Sequence, residues 1–187
     1  MTDGRVPETG EPRRVSKPGD ARFAEVVLPH LDAAYNLARH LLRDSHEAED
    51  AVQEAFLRAV RYFDGFRGVD GRPWLLRIVR NTCFTQLRRR RAGGERVEFD
   101  EEVHGRKDDR GPELDLERAM AAESLGEGLA QLPAEFREVL VLRELEGLSY
   151  KEIAHIIDVP IGTVMSRLSR ARNQLVSALG ARTEERE

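Results

Sequence analysis

One cysteine, Cys83, is present in 187 residues. A lone thiol cannot close an internal disulfide, and no Cys/His cluster at zinc spacing surrounds it. This usage fits a reducing compartment, and a cytoplasmic location is expected. Long apolar runs are missing. Nothing approaches the roughly 18 consecutive apolar residues of a membrane span, so no direct membrane insertion is expected. The opening residues, MTDGRVPETGEPRRVSKPGD, lack the apolar stretch of a signal peptide. Paired metal-ligand histidines are missing too. His46 sits among Glu47, Glu49 and Asp50, but no second histidine follows one turn later, and neighbouring helical residues point different ways. No metal, no cofactor and no catalytic residue is expected, and the protein is not read as an enzyme.

The residues that are present favour helices. An apolar fraction of 40% with 34% charge suits a soluble chain with modest cores rather than a disordered one. A net charge of −4 argues against a general polyanion binder, so the local distribution of charge carries the meaning. Leu28, Leu31, Tyr35, Ala38 and Leu42 recur at helical steps. Asp44 and Glu47 have capping-box spacing, and Val52, Phe56, Ala59, Val60 and Phe63 follow as an expected inward stripe. The stretch DGFRGVDGRP interrupts the helix. WLLRIVRNTCFTQLRRRR resumes it, with Trp74, Ile78, Phe84 and Leu87 expected on the buried side. No strand alternation occurs in this half.

Residues 92–117 change character. They hold ten acids against four bases, a net of −6, without an apolar period, and read as a linker. A second helical half follows. Pro133 stands at an expected first turn, Gly147 at an expected stop, and Ser149 with Glu152 forms another capping box. The expected fold class is all-α, with two helical domains joined by an acidic flexible linker. The expected boundaries are a disordered tail over 1–22, domains over 23–91 and 118–180, the linker over 92–117 and a short tail over 181–187.

LSYKEIAHIIDVPIGTVMSRLSRAR reads as a helix-turn-helix. Ile153, Ala154 and Ile157 of its first helix, and Val164, Leu168, Ala171 and Leu175 of its second, are expected inside. Thr163, Ser166, Arg167 and Arg170 then share the outward face. Residues 161–176 carry three arginines and no acid. Arginine can fork onto guanine or phosphate, and Ser or Thr can contact either, so this face suits a major groove. Ile161, near the expected N-cap, cannot accept a hydrogen bond there. In the first half, residues 77–91 carry six arginines and no acid. Arg77 and Arg80 lie one turn apart beside Asn81. Asp50, Gln53 and Glu54 lie outside the apolar stripe, as a solvated face or as a docking face for a basic partner.

AEDAVQEAFLRA, RPWLLRIVRNTCFTQLRRRR and LPAEFREVLVLRELEGLSYKEIAHIIDVPIGTVMSRLSRAR together resemble the extracytoplasmic-function group of the sigma-70 family. These are bacterial promoter-specificity subunits of RNA polymerase, and the resemblance spans about residues 23–179. It implies that the first half melts and reads the minus-ten promoter element. Phe66 and Arg67, in a loop that captures a flipped base, would then act with Trp74, Arg77, Arg80, Asn81 and Arg88. It implies that Asp50, Gln53 and Glu54 dock core RNA polymerase, and that Thr163, Ser166, Arg167 and Arg170 read the minus-thirty-five element. Many relatives have Asp four residues after the asparagine; this chain has Thr85. The implied partners are core polymerase, promoter DNA and a separately encoded anti-sigma factor. The acidic segment resembles the linker that threads the polymerase cleft, where acids stand in for nucleic acid; the alternative is a spacer kept soluble by charge. The rival reading of the whole is a stand-alone helix-turn-helix regulator.

Overall fold

The computed structural model describes residues 18–93 and 124–184. The segment read as the acidic linker, beyond its first two residues, lies outside them, as do residues 1–17 and 185–187. Among the described residues the chain is helical, without strands. In the first half, α1 (Pro18–Val27) passes through a 3-10 turn, Leu28–His30, into α2 (Leu31–Leu42). There follow α3 (Ser45–Tyr62), a 3-10 turn at Phe63–Gly65 and α4 (Gly71–Gly93). In the second half, α5 covers 124–131, and α6 (Ala134–Leu140) continues into a π turn, Val141–Leu145. The helix-turn-helix is α7 (Tyr150–Ile157) and α8 (Ile161–Glu184). Helix α1 starts five residues ahead of the boundary read from the pattern, and α8 runs beyond 180.

The helix starts are set by side chains. Asp44 caps α3 by accepting from the Glu47 backbone N–H at 2.8 Å. Ser149 and Glu152 form the full capping box at α7. Asp70 Oδ1 accepts from the Arg72 N–H at 2.9 Å at the entry to α4. Gly147, at φ 67°, takes the chain out of the π turn where a side chain would be strained. At α8 the Pro160 carbonyl accepts from the N–H groups of Thr163 and Val164, so the start needs no side-chain cap from Ile161.

Helix α3 packs differently from the pattern. Its buried seam is Ala48, Ala51, Ala55 and Ala59, ending at Phe63. Of the expected stripe, Val52 and Phe56 are only partly buried and Val60 is half exposed. Alanine lets α2 and α4 approach α3 closely, and the larger residues move to the edge of the contact. Helix α4 likewise buries Leu75, Leu76, Val79, Thr82 and Cys83, with Trp74, Ile78, Phe84 and Leu87 partly covered around them. Burial pushes the Cys83 thiol up to about 12, which makes it a core residue and a poor nucleophile.

The two halves are not separate in space. One buried apolar cluster runs through both, from Leu37 and Leu41 of α2 to Val139 and Leu142 in the second half. Helix α2 meets α6, and α4 meets α7. Arg137 of α6 spans the join. Its Nη1 donates to the carbonyls of His40 at 2.7 Å and Leu41 at 3.5 Å, at the negative end of α2. Its Nη2 donates to Leu132 O within its own half at 2.8 Å.

His40 lies at this join, and its pKa falls to about 4 through burial, then Arg39, then Arg137. The folded chain therefore binds this proton less well than the unfolded chain does. The stabilisation is complete above the ordinary histidine value and is lost progressively as pH falls through that range to about 4. Acid titration is expected to cost roughly 2 kcal/mol across this window, allowing for the residual exposure of the ring. Urea melts of wild type and His40→Gln at pH 7 and pH 4.5 check this, since the variant lacks the histidine's share of the loss.

Candidate nucleic-acid interface

Helix α4 begins beneath a loop over residues 66–70. The loop rests on an aromatic cluster. Phe66 stacks on Phe63 with ring centroids 5.8 Å apart and lies 4.9 Å from Trp74. The expectation that Phe66 offers its ring to a ligand meets a side chain only 8% exposed, turned into this cluster. Its part is to support the loop. The exposed tip is Val69, at 96%. A side chain at Gly68 would press on the Phe66 ring, because a Cβ would stand 2.7 Å from Phe66 Cζ. Arg67 is exposed and donates to the Asp64 carbonyl.

Arg22, placed by the sequence pattern in a disordered tail, is part of this loop. Its guanidinium donates to Phe66 O at 3.5 Å and Gly68 O at 3.3 Å, and lies 5.3 Å from the Phe63 ring centroid. The contact joins residues more than forty positions apart, so no local pattern carries it.

Arg77, Arg80 and Asn81 follow along α4. Asn81 is exposed, and its Oδ1 accepts from Arg80 Nη1 at 3.3 Å. Thr85, at the position where Asp is common, donates to the Asn81 backbone carbonyl at 2.8 Å. It supplies no carboxylate to this face. Arg80 lies over the Phe84 ring at 4.2 Å, and Arg88 is exposed near the helix end.

The arginines are held by acids of the second half. Arg80 Nε donates to Glu138 Oε2 at 2.9 Å, and Arg167 Nη1 donates to Glu138 Oε1 at 3.3 Å. Thus Arg167, expected to face outward with Thr163, Ser166 and Arg170, turns toward α6. Arg170 and Ser166 are exposed, and Ser166 Oγ donates to Thr163 O at 3.0 Å. Arg77 reaches Asp158 at 3.7 Å, and Arg72 reaches Glu146 at 2.6 Å. Glu138 is fully buried. Burial raises its carboxyl above the usual range, against the pull of Arg80 and Arg167. A signal existed for this residue: one carboxylate within the apolar run FREVLVL. Its partners could not be read.

A second surface lies along α2 and α3. Leu31, Tyr35, Val52 and Phe56 line a groove edged by Glu49, Asp50 and Gln53. The large side chains displaced from the α3 seam form its floor. Glu54 lies one position beyond and is paired with Arg58 at 2.5 Å. Among the described residues, no group of three or more His, Cys, Asp or Glu is placed to hold a metal, and no helix is long and apolar enough to cross a membrane.

Two helical modules, one with a basic helix under a glycine loop and one with a helix-turn-helix, define a DNA-reading protein of two elements. The family profile for Sigma-70 region 2 matches residues 26–93, and that for Sigma-70 region 4 matches residues 122–175. RNA polymerase sigma-H factor of Pseudomonas aeruginosa is 39% identical over 170 residues, covering 86% of this chain and 88% of its own length. ECF RNA polymerase sigma factor SigW of Bacillus subtilis is 31% identical over 175 residues, covering 87% and 91%. Among solved structures, the sigma factor RpoE in complex with the anti-sigma factor NepR from Bartonella quintana aligns at TM-score 0.70 and 30% identity, over 84% of this chain and 96% of that one. CnrH in complex with the cytosolic domain of CnrY aligns at TM-score 0.58 and 30% identity, over 85% and 88%. The chain belongs to the extracytoplasmic-function group of the sigma-70 family. It is a sigma factor, which joins core RNA polymerase and directs it to promoters.

Proposed function

We propose that α4 and its loop read and open the minus-ten element, that α8 reads the minus-thirty-five element, and that the groove along α3 docks core polymerase. The observation that carries this reading is the arrangement on α4. Arg77, Arg80 and Asn81 follow directly behind a glycine loop that stands proud of an aromatic base. A base leaving the stack needs an apolar wall and nearby polar groups, and a strand needs cations along its path. Trp74, partly covered, supplies the wall, and Phe66 supports the loop from beneath. Arg67 and Arg88 extend the basic path, and Asn81 offers an amide at its centre.

On α8, Ser166 and Arg170 are the exposed members of the reading face, with Thr163 at its entrance and Arg167 available once released from Glu138. Asp50 and Gln53 present polar groups around an apolar floor, the mixture that suits a helical partner with basic residues at its rim. The working units are 23–91 and 118–180. The protein acts in the cytoplasm, not as an enzyme, under a separately encoded anti-sigma factor. The structural relatives in complex with NepR and CnrY support that last point.

If Asn81 acts in opening, Asn81→Ala reduces open-complex formation on a duplex promoter about tenfold, a size ordinary for one lost polar contact to a base. On a pre-melted template the loss is much smaller. Permanganate footprinting with core enzyme measures both. Equal loss on the two templates removes Asn81 from the opening step.

A further inference from the structure

We propose that Arg22 is a positioning residue for base selection: from α1 it holds the 66–70 loop in the shape that discriminates one base from another. This rests on the reading of that loop and α4 as the surface that opens and reads the minus-ten element. The loop is tied down toward its ends. The Phe66 N–H donates to Phe63 O at 2.8 Å, and the Arg72 N–H donates to Asp70 Oδ1 at 2.9 Å. Between these anchors one guanidinium takes two carbonyls. Arg22 Nη1 donates to Phe66 O at 3.5 Å, and its Nη2 donates to Gly68 O at 3.3 Å. A rigid planar fork across alternate carbonyls fixes the distance between them. The same group lies 5.3 Å from the Phe63 ring centroid and 5.9 Å from that of Phe66, so the aromatic base holds the guanidinium as well as the loop. Helix α1 is itself held in place. Phe23 meets Phe63 and Phe56 edge-on, with centroids 5.0 and 5.3 Å apart, which fixes the rotation of α1. At the far end of the loop, a Cβ on Gly71 would stand 2.3 Å from Val26 O, so the α1 backbone abuts the first residue of α4. Helix α1 thus braces the loop at both ends.

The consequence is for selectivity rather than for stability. Arg22 is exposed and both of its hydrogen bonds are long, so its loss costs the fold little. The loop it holds is another matter. A site that tells bases apart needs its walls and polar groups at fixed distances, whereas a loop free to change shape accommodates several bases and prefers none. The simpler role for an exposed arginine beside a DNA-reading loop is attraction of phosphates. Chemistry separates the two. Attraction needs only a cation; bridging two carbonyls in this geometry needs the fork. Lysine keeps the charge and loses the fork.

The full chain, joined to core polymerase, tests this on a single-stranded DNA pool with a randomised central stretch. Wild type, Arg22→Ala and Arg22→Lys each select from the pool, the bound strands are sequenced, and enrichment is scored against core enzyme alone. Wild type is expected to enrich particular bases. Both variants should flatten the preference at one or two neighbouring positions by roughly tenfold, the size of one good polar contact to a base. Preference at the other positions, total binding and the melting curve by circular dichroism should stay as in wild type. Unchanged preference in Arg22→Ala overturns the role of Arg22 and leaves the α4 assignment intact. A uniform loss of binding that Arg22→Lys restores makes the residue a phosphate contact and also overturns it. So does loss of preference at every position with a lowered melting point, which is damage to the fold. No base preference in wild type overturns this inference and the α4 assignment together.

Discussion

Asp50→Arg is expected to abolish capture by core RNA polymerase while leaving helical content and melting unchanged. Asp50 is exposed on α3, beside the groove floored by Leu31, Tyr35, Val52 and Phe56. Its side chain makes no buried contact whose loss would unfold α3, and the alanine seam faces the other way. If Asp50 faces a basic rim on the partner, as proposed, a cation placed there replaces attraction with repulsion. Like charges across an interface cost several kcal/mol, so a loss of at least about 3 kcal/mol, roughly a hundredfold in affinity, is expected. Gln53→Arg should act in the same direction. Glu54→Arg should act more weakly, because Glu54 is already turned toward Arg58. Pull-down of core enzyme by the tagged chain, beside circular dichroism, decides this. Undiminished capture by Asp50→Arg removes the groove as the docking surface.

The second large effect belongs to α8. Arg170→Ala combined with Arg167→Ala should weaken recognition of the upstream element by roughly 2–4 kcal/mol, within the sum of 1–3 for each arginine that reaches bases. The two differ in expected behaviour. Arg170 is exposed and is expected to act directly. Arg167 shares Glu138 with Arg80, so its removal leaves that carboxylate to Arg80 alone, and its single effect is expected to be smaller than that of Arg170. Ser166→Ala should matter less, since its hydroxyl already donates to Thr163 O. Run-off transcription from templates with intact and scrambled upstream elements reads these differences. Wild-type discrimination by the double variant contradicts the assignment.

The helices were legible because their determinants are local. Capping at Asp44 and Ser149 and the break at Gly147 all stand where the sequence places them. The helix-turn-helix was legible for the same reason. Helix α3 was harder. Val52, Phe56 and Val60 outweigh four alanines in any hydrophobic pattern, yet close helix packing selects the small residues for the seam. The displaced Val52 and Phe56 then line the groove beside Asp50 and Gln53, so the misreading fell at a candidate functional surface. Phe66 was placed in a base-capturing loop by the family resemblance; its ring packs against Trp74. Arg22, Glu138 and Glu146 were missed because their partners lie tens of residues away, which no periodicity reports. The pairing of Arg72, Arg77 and Arg80 with Glu146, Asp158 and Glu138 belongs to the same class of long-range fact.

The central claim is that this chain directs core polymerase by reading two spaced elements with α4 and α8. In vitro transcription by core enzyme over a genomic library, with wild type and with the Arg167→Ala, Arg170→Ala variant, tests it most directly. The account predicts new transcript starts with wild type, sharing two asymmetric elements at fixed spacing, and loss of those starts that depend on the upstream element with the variant. No new starts with wild type, or the same starts at the same strength with the variant, would contradict it.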